Sequence, residues 1–308
     1  MAGASAFYLD GHAEGRLHLQ HGPIDLVIGV DLASASMPGC RRLAFEAAHA
    51  RFSTILEELV SELPYLKTRA RQNSALPIGA VARRMVAAVT PFANDHFITP
   101  MAAVAGSVAD EILAAILAAF PTPARPARIY VNNGGDIALH LEARQEFRIR
   151  MAREDGAAYG DLVIRHEDVS RGIATSGRGG RSLSMGIADS VTVAAGSAAA
   201  ADVAATLIAN AVDVPGHAAI ERARAIDVVD DSDLGERLVV TVCGVLGAQD
   251  VDRALEAGLC RADHFIAEGL IQRAGLFLQG EGRLAGLTSS RQPSPKITPK
   301  PMEHRHHA

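Results

Sequence analysis

A turn-rich loop, a strand and an alanine-rich helix follow one another in the segment Arg171–Val212. A short apolar run begins at Gly172, a Ser/Gly cluster at 176–180 predicts a turn, and the run at 190–195 predicts a strand. Ser197 is well placed to cap the helix that follows. This order requires a fold in which a strand and a helix are joined by a short loop. Such a loop is a typical place for a ligand site.

Asp202 and Thr206 lie four residues apart on this predicted helix and therefore share a face. Carboxylate and hydroxyl oxygens suit a hard cation such as Mg²⁺, which often takes further ligands from substrate phosphates. A structural alternative exists: Asp202 complements the helix dipole near the first turn, and Thr206 bonds to the carbonyl of Asp202. The spacing by itself favours this structural alternative.

A second turn signal is the sequence NNGGD at Asn132–Asp136, which lies between two β-type runs. One interpretation is an ordinary hairpin, which Asn-Gly favours. The other is a ligand site, since Gly134 and Gly135 lack Cβ atoms and let backbone amides approach a bulky ligand beside Asp136. The turn alone supports both interpretations equally.

The motifs occur in a defined order: a helix start at 99–110, then NNGGD, ATSG, SVTV and ADVAAT. From about Pro100 to Ala211 this succession resembles the ApbE-like superfamily, whose best-known members are FAD:protein FMN transferases. The resemblance implies an α+β (mixed α/β) fold, with mixed sheets packed against helices and a ligand site between lobes.

The resemblance also implies a site. In it, Asp202 and Thr206 bind Mg²⁺ with a backbone carbonyl of the earlier helix, which alignment assigns to Ala102 or a neighbour. FAD or FMN lies against the GGD turn and the TSG loop, and its pyrophosphate touches the metal. The implied flavin contacts are Asn133, Gly134, Gly135, Asp136, Thr175, Ser176 and Gly177.

The chain departs from the transferases at two places. They carry a lysine at the position matched here by Ala105. They also have a His-containing segment between the TSG loop and the SVTV strand, where this chain has a compact link. The link is closer to an uncharacterised cytoplasmic branch of the superfamily, and its polar candidates are Arg178, Arg181 and Asp189.

These features predict a protein that binds a small nucleotide-like ligand. If it is an enzyme, it is a Mg-dependent flavin nucleotidyl transferase or hydrolase-like enzyme, acting in FMN transfer or FAD pyrophosphate hydrolysis. The alternatives are a non-enzymatic binding or assembly protein with the same pocket, and an enzyme of another heterocyclic cofactor pathway. No single histidine is assigned a catalytic role, and those considered are His96, His140 and His166.

Length and composition predict one large domain or two intimately joined lobes, which the resemblance implies to be a single ApbE-like domain over residues 1–288. The composition of the tail at 289–308 predicts disorder. A net charge of −5 without basic, aromatic-rich runs gives no reason to expect nucleic-acid binding. Three widely separated cysteines predict neither a disulfide nor a zinc site, and we expect them to be reduced and mostly buried. The N-terminal sequence lacks a signal-peptide pattern and favours the cytoplasm, and the alanine-rich helix surface is compatible with a homodimer.

The apolar stretch Met101–Phe120 is interrupted by Asp110 and Glu111, which predicts a buried helix and no membrane span. Its small residues permit close approach of another backbone or of a flat ligand. Thr99 and Pro100 form a typical helix start. The remaining predictions are a hairpin at 16–30, helices at 39–63, 79–89, 248–258 and 262–272, and a solvated acidic loop at 227–233.

Overall fold

The computed structural model of the chain describes residues 3–9, 15–32, 39–73, 75–121, 124–152, 158–180 and 182–286. In these residues, nine strands form one sheet and two further ribbons of two strands each lie outside it. Every recorded strand pair is antiparallel. The chain is therefore a mixed α+β protein, as its sequence predicted. The predicted tail and Arg181 lie outside the described residues.

The strands are β1 (Ser5–Tyr8), β2 (Leu17–His21), β3 (Ile24–Asp31), β4 (Arg128–Asn133), β5 (Asp136–Leu141), β6 (Glu146–Ala152), β7 (Ala158–Arg165), β8 (Gly172–Ser176), β9 (Ser190–Ala195), β10 (Ile220–Arg224), β11 (Leu238–Cys243), β12 (Arg273–Leu278) and β13 (Glu281–Ala285). The helices are α1 (Cys40–Leu66), α2 (Ala80–Val89), α3 (Val104–Ala118), α4 (Ala198–Ala211), α5 (Ala225–Val228) and α6 (Ala248–Ala267). Short 3-10 turns occur at Thr90–Phe92 and Pro100–Ala103. The large sheet has the order β1-β2-β3-β4-β5-β8-β9-β12-β13.

The two faces of the large sheet are covered by different elements. Alternation along β4 sends Ile129 and Val131 into the main core, which the helices share. Tyr130 lies on the other face, in a smaller cluster that includes Phe147 and Ile164 of the β6–β7 ribbon. Helix α3 contacts α1, α2, α4 and the strands β4 and β5, so it lies in the middle of the helical layer.

One helical stretch among the described residues, Pro100–Ala118, is long and apolar enough by length and composition to cross a membrane. The contacts of α3 with three helices and two strands are those expected of a core helix. The sequence predicted this burial.

Some predicted element boundaries were wrong. Helix α1 runs to Leu66 with Pro64 in its last turn, where a proline removes only one hydrogen bond and the amide of Lys67 still reaches the carbonyl of Leu63 at 3.0 Å. The two helices predicted at 248–258 and 262–272 form the single helix α6. Gly258 does not stop this helix, because its missing Cβ makes room for the side chains of Val212 and Leu276.

Three smaller expectations also changed. Thr99 does not cap a helix through its side chain, because its hydroxyl donates to the Asp233 carboxylate and the 3-10 turn precedes α3. Asp231 of the predicted solvated loop is exposed but forms an ion pair with Lys67. The cysteines are free as expected, but none is fully buried, since Cys260 is exposed and the other two are only partly covered.

Glu111 of α3 holds two neighbouring helices through hydrogen bonds from Arg51 Nε of α1 at 2.9 Å and from Arg84 Nε of α2 at 2.8 Å. Burial would raise the pKa of Glu111, but the bonds from the two arginines outweigh it and hold the pKa below its ordinary value. We expect Glu111→Gln to lower the free energy of unfolding by about 2 kcal/mol, because Arg84 loses its carboxylate partner and Arg51 keeps only its ion pair with Glu58. Urea denaturation at neutral pH measures this loss.

The matched control for this prediction is Glu46→Gln on the exposed surface of α1, where the carboxylate pairs among the described residues with Arg42 at 3.8 Å. Surface ion pairs of this kind contribute little, so we expect a change within about 0.5 kcal/mol. Equal losses in both variants would show that Glu111 does not join the helices energetically.

Candidate functional site

The site is organised by a close contact between the first turns of α3 and α4. A Cβ atom added to Gly106 would lie less than 3.0 Å from the backbone of Ala198 and Ala199. No side chain can fit there without moving the backbone. The predicted role of the small residues as a place of close approach is confirmed at Gly106, where the approaching group is another helix.

Two carboxylates stabilise this contact reciprocally. Asp202 Oδ2 on α4 accepts a hydrogen bond from the amide of Gly106 at 3.0 Å. Asp110 on α3 accepts hydrogen bonds from the amides of Ala198 at 3.0 Å and Ala199 at 2.9 Å. Each helix thus supplies an anion to the positive N-terminal end of the other, where free amides need acceptors.

Asp202 complements the N-terminus of a helix, as the structural alternative predicts, but that helix is α3 and not α4. Asp202 does not lie in the first turn of α4. The N-cap of α4 is Ser197, whose hydroxyl accepts from the amide of Ala200 at 3.2 Å. Asp202 caps α3 instead. The sequence could not predict this, because it depends on how two helices distant along the chain cross.

Burial raises the pKa of Asp202 to about 7, although hydrogen bonds from the amides of Gly106 and Ala105 oppose the shift. The charge of Asp110 raises the pKa of Asp202 further. Burial also raises the pKa of Asp110, against the amides of Ala199 and Ala198. The two buried carboxylates therefore lie close enough for the charge of Asp110 to act on Asp202.

Thr206 and Ala102 supply the other two predicted metal ligands. Among the described residues, Thr206 does not make the hydrogen bond that the structural alternative predicts. No hydrogen bond from the Thr206 hydroxyl to the carbonyl of Asp202 is found in this described part of the chain, whereas Thr90 on α2 makes such a bond to Val86 at 2.7 Å. Ala102 precedes Ala103, the N-cap of α3, and so lies outside the intrahelical ladder. The amide of Gly106, which a longer helix would direct to the carbonyl of Ala102, donates to Asp202.

The NNGGD motif forms a hairpin turn and also reaches the start of α3. Gly134 and Gly135 connect β4 to β5 with φ angles of 65° and 112°, and the Gly135 amide donates to Asn132 Oδ1 at 2.9 Å. Asn133 is 5% exposed, and its Nδ2 donates to the carbonyl of Ala105 at 3.0 Å. The hairpin interpretation and the ligand-site interpretation therefore do not exclude each other, because the hairpin turn lies beside the contact between Asp202 and α3.

The TSG residues end β8 next to this turn. The ladder between β5 and β8 contains the pairs Ile137–Ile173 and Ala138–Gly172, and it ends before Asp136 and Thr175. The same antiparallel register carries the GGD turn and the TSG loop to one end of the sheet. The GGD turn and the TSG loop therefore lie beyond the paired part of these two strands.

Residues after the TSG loop hold it in position. Gly177 packs under the carbonyl of Asp189, with no room for a Cβ atom. Asp189 Oδ1 accepts from Arg178 Nη2 at 2.8 Å, and Asp189 Oδ2 accepts from the amide of Gln279 at 2.5 Å. The Arg178–Asp189 pair thus closes the loop on itself. Thr175 Oγ1 lies 3.0 Å from Thr192 Oγ1 of β9.

The histidines considered from the sequence contact structural partners. Arg261 bonds the ring of His96 at 2.8 Å, and burial and Arg261 lower the pKa of this histidine. His140 faces Glu142 at 3.1 Å, and His166 Nδ1 lies 2.9 Å from the carbonyl of Leu141. None of these contacts involves the motif residues.

Two polar residues of α3 were not singled out from the sequence. Asp110 was noted only as an interruption of an apolar helix, yet a carboxylate in such a position is itself a signal for a buried partner. Ser107 is fully buried, and its Oγ has no hydrogen-bond partner among the described residues. Both lie within one turn of Gly106.

Comparison with known proteins agrees with this arrangement of motifs. A family model described as "AbpE bacteria" matches residues 7–284, which is most of the chain, so the chain belongs to this family and is an ApbE-like protein. The finer resemblance to a cytoplasmic branch stays a prediction.

Three relatives, all called UPF0280 proteins, come from methane-producing archaea by their organism names. The chain is 38% identical to one of Methanopyrus kandleri over 165 residues, which cover 52% of this chain and 61% of that protein. It is 32% identical to one of Methanococcus vannielii over 184 residues, covering 57% and 70% of the two chains. It is 33% identical to one of Methanosarcina acetivorans over 169 residues, covering 54% and 58%. The chain thus spans about three fifths of the length of two of these relatives, whose names describe no ligand or activity.

Proposed function

We propose that this ApbE-like protein binds a flavin dinucleotide, or a similar phosphate-bearing ligand, together with Mg²⁺, and that it acts in FMN transfer or FAD pyrophosphate hydrolysis. The observation that supports this proposal is the position of the Asp202 carboxylate at the start of α3, where it accepts from the amide of Gly106, and one helical turn from Thr206. A carboxylate, a hydroxyl and a carbonyl that is not needed within a helix are a donor set for a hard cation.

The donor set fits a cation that shares its ligands with a substrate. Among the described residues, no group of three or more His, Cys, Asp or Glu side chains is arranged to hold a metal. A cation at Asp202 therefore needs oxygen atoms from backbone, hydroxyl and phosphate groups, which is the usual situation of Mg²⁺. When bound there, Mg²⁺ would neutralise charge on the phosphate oxygens as a Lewis acid.

The other residues act by binding and orientation. The GGD turn brings backbone amides close to the ligand because its two glycines have no Cβ atoms. The hydrogen bond from Asn133 to the carbonyl of Ala105 joins this turn to the start of α3. The Arg178–Asp189 pair holds the TSG loop in the conformation that faces the turn. Correct positioning of the ligand phosphates against these groups is what an in-line reaction requires.

A second function is favoured by one observation. Ala105 occupies the position at which the transferases carry a lysine, and its carbonyl is occupied by Asn133. A methyl group at this position can neither bind a phosphate nor move a proton. A non-enzymatic binding or assembly protein, which binds the ligand without turnover, is the corresponding alternative.

Calorimetric titration of the metal-stripped protein with FAD tests the proposal. We expect binding that depends on Mg²⁺, and we expect Thr206→Val to weaken it by about tenfold because one oxygen ligand is lost. Asp202→Asn removes the charge but keeps an oxygen acceptor for the Gly106 amide, so it tests the metal site with the helix contact retained. We expect it to abolish the effect of Mg²⁺.

Thr54→Val is the matched control, because Thr54 is an exposed helical threonine on α1, bonded to Glu58 and outside the site. An absence of heat in a folded protein would reject flavin as the ligand. Release of AMP from FAD, measured with and without an acceptor protein, separates the two candidate functions. Hydrolysis transfers FMN to water and FMN transfer moves it to the acceptor, and both produce AMP, whereas a binding protein does not.

A further inference from the structure

A surface cleft of about 680 Å³ lies apart from the Asp202 site. It is formed by the residues that follow α1, by the segment before the 3-10 turn at 100–103, and by the loop between α5 and β11. A volume of this size is typical of small-ligand sites. Its lining residues include Lys67, Arg69, Phe97, Asp231, Asp233 and Arg237.

The carboxylates of this cleft already have partners. Asp231 forms an ion pair with Lys67, and Asp233 accepts a hydrogen bond from Thr99. Glu236 Oε2 pairs with Arg224 Nη1 at 2.9 Å. No carboxylate in the described part of the chain lies within ion-pair distance of the two arginines, Arg69 and Arg237. Among the described residues, these two arginines of the cleft therefore form no ion pair, although carboxylates paired with other groups line the same cleft.

Both arginines lie around one aromatic ring. The guanidinium carbon of Arg237 is 3.4 Å from the ring centroid of Phe97, and that of Arg69 is 5.9 Å from the same centroid. Stacking on the ring holds a guanidinium in one plane and leaves its N–H groups free at the edge. Burial and the charge of Arg69 lower the pKa of Arg237, as expected when two like charges are held together. A bound anion close to both groups would reduce this repulsion.

We propose that Arg69 and Arg237 bind the phosphate oxygens of a small phosphate-bearing molecule in this cleft. Phosphate is favoured because the planar fork of a guanidinium donates two parallel hydrogen bonds to it. A small molecule is favoured over an extended polyanion, because Asp231, Asp233 and Glu236 on the rim would repel further negative charge.

This assignment does not depend on Asp202 or on a metal. The cleft and the Asp202 site are nevertheless neighbours along the chain, since Thr99, which holds Asp233, directly precedes the turn that carries Ala102. The cleft contains none of the flavin-binding residues predicted from the motifs, so a phosphate bound here is a second ligand.

Calorimetric titration of the full chain with inorganic pyrophosphate tests the proposal, in EDTA and at low ionic strength so that neither metal nor screening interferes. We expect Arg69→Gln and Arg237→Gln each to weaken binding by about tenfold, as for loss of a charged hydrogen bond. Arg237→Lys keeps the charge but loses the planar fork, and we expect an intermediate loss. Arg42→Gln removes the same charge from an exposed site on α1 and is expected to leave the affinity unchanged.

Four results would overturn the proposal. The first is equal affinity in the cleft variants and in Arg42→Gln, and the second is no binding by the folded wild-type chain. The third is loss of pyrophosphate binding in Asp202→Asn without metal, because the anion would then occupy the other site. Tighter binding of succinate than of pyrophosphate would likewise reject phosphate. Adenosine diphosphate is the second probe, and tighter binding than pyrophosphate would identify an organic phosphate as the occupant.

Discussion

Alanine at Gly172 is expected to lower the free energy of unfolding by about 3 kcal/mol, because an added Cβ atom has no space. Gly172 begins β8, and a Cβ atom there would lie less than 3.0 Å from the backbone of Ser197 and Ala198. Backbone cannot move aside as a flexible side chain can, so the first turn of α4 would have to shift away from the sheet. Equilibrium urea denaturation of the variant and the wild type measures the loss.

Gly196 provides the control for this prediction. It precedes the same helix, no atom lies within 4 Å of an added Cβ, and its φ angle is not positive. Alanine there is expected to be neutral or slightly stabilising, since it restricts the unfolded chain. If both variants lose the same stability, close packing at Gly172 is not the reason. Gly106 contacts the same turn from the opposite side, so alanine at Gly106 is expected to behave like alanine at Gly172.

These close contacts also explain which parts of the fold the sequence could predict. The strand predicted at 190–195 coincides with β9, and Ser197 caps α4 as predicted, because both depend on patterns within a few residues. The single helix α6 was not predicted, because a glycine within a helix pattern looks like a stop. Its real role at Gly258 is contact with Val212 and Leu276, which lie far away along the chain.

The same distinction applies to the candidate site. Motif order was sufficient to bring the NNGGD turn, the start of α3 and Asp202 into one hypothesis, and the bonds Asn133–Ala105 and Asp202–Gly106 join these segments in the structure. The pairing of Asp110 with the first turn of α4 was not foreseen. Neither was the cleft around Phe97, whose two arginines are separated by most of the chain. Spacing along a sequence carries no information on such contacts.

The metal-free protein is expected to become less stable as the pH rises from about 4 to about 7, to the extent that Asp202 ionises. In the unfolded chain an aspartate has a pKa of about 3.9, whereas burial raises the pKa of Asp202 to about 7 in the folded chain. Between these values the folded state binds a proton that the unfolded state has lost, so stability falls with rising pH and levels off above the higher value. At about 1.4 kcal/mol per pH unit, the full effect is about 4 kcal/mol.

The difference between Asp202→Asn and the wild type separates the contribution of Asp202, together with its coupling to Asp110, from that of the other carboxylates. Glu58 and Glu111 act in the opposite direction, since hydrogen bonds from arginines lower their pKa values, but they act equally in both proteins. The advantage of the asparagine variant should therefore grow from pH 4 to pH 7 in urea titrations with EDTA. Asp161→Asn, an exposed change on β7, is the matched control and should show no such growth. A constant difference across this range would mean that Asp202 is ionised throughout, and that its contacts with α3 compensate fully for burial without a cation.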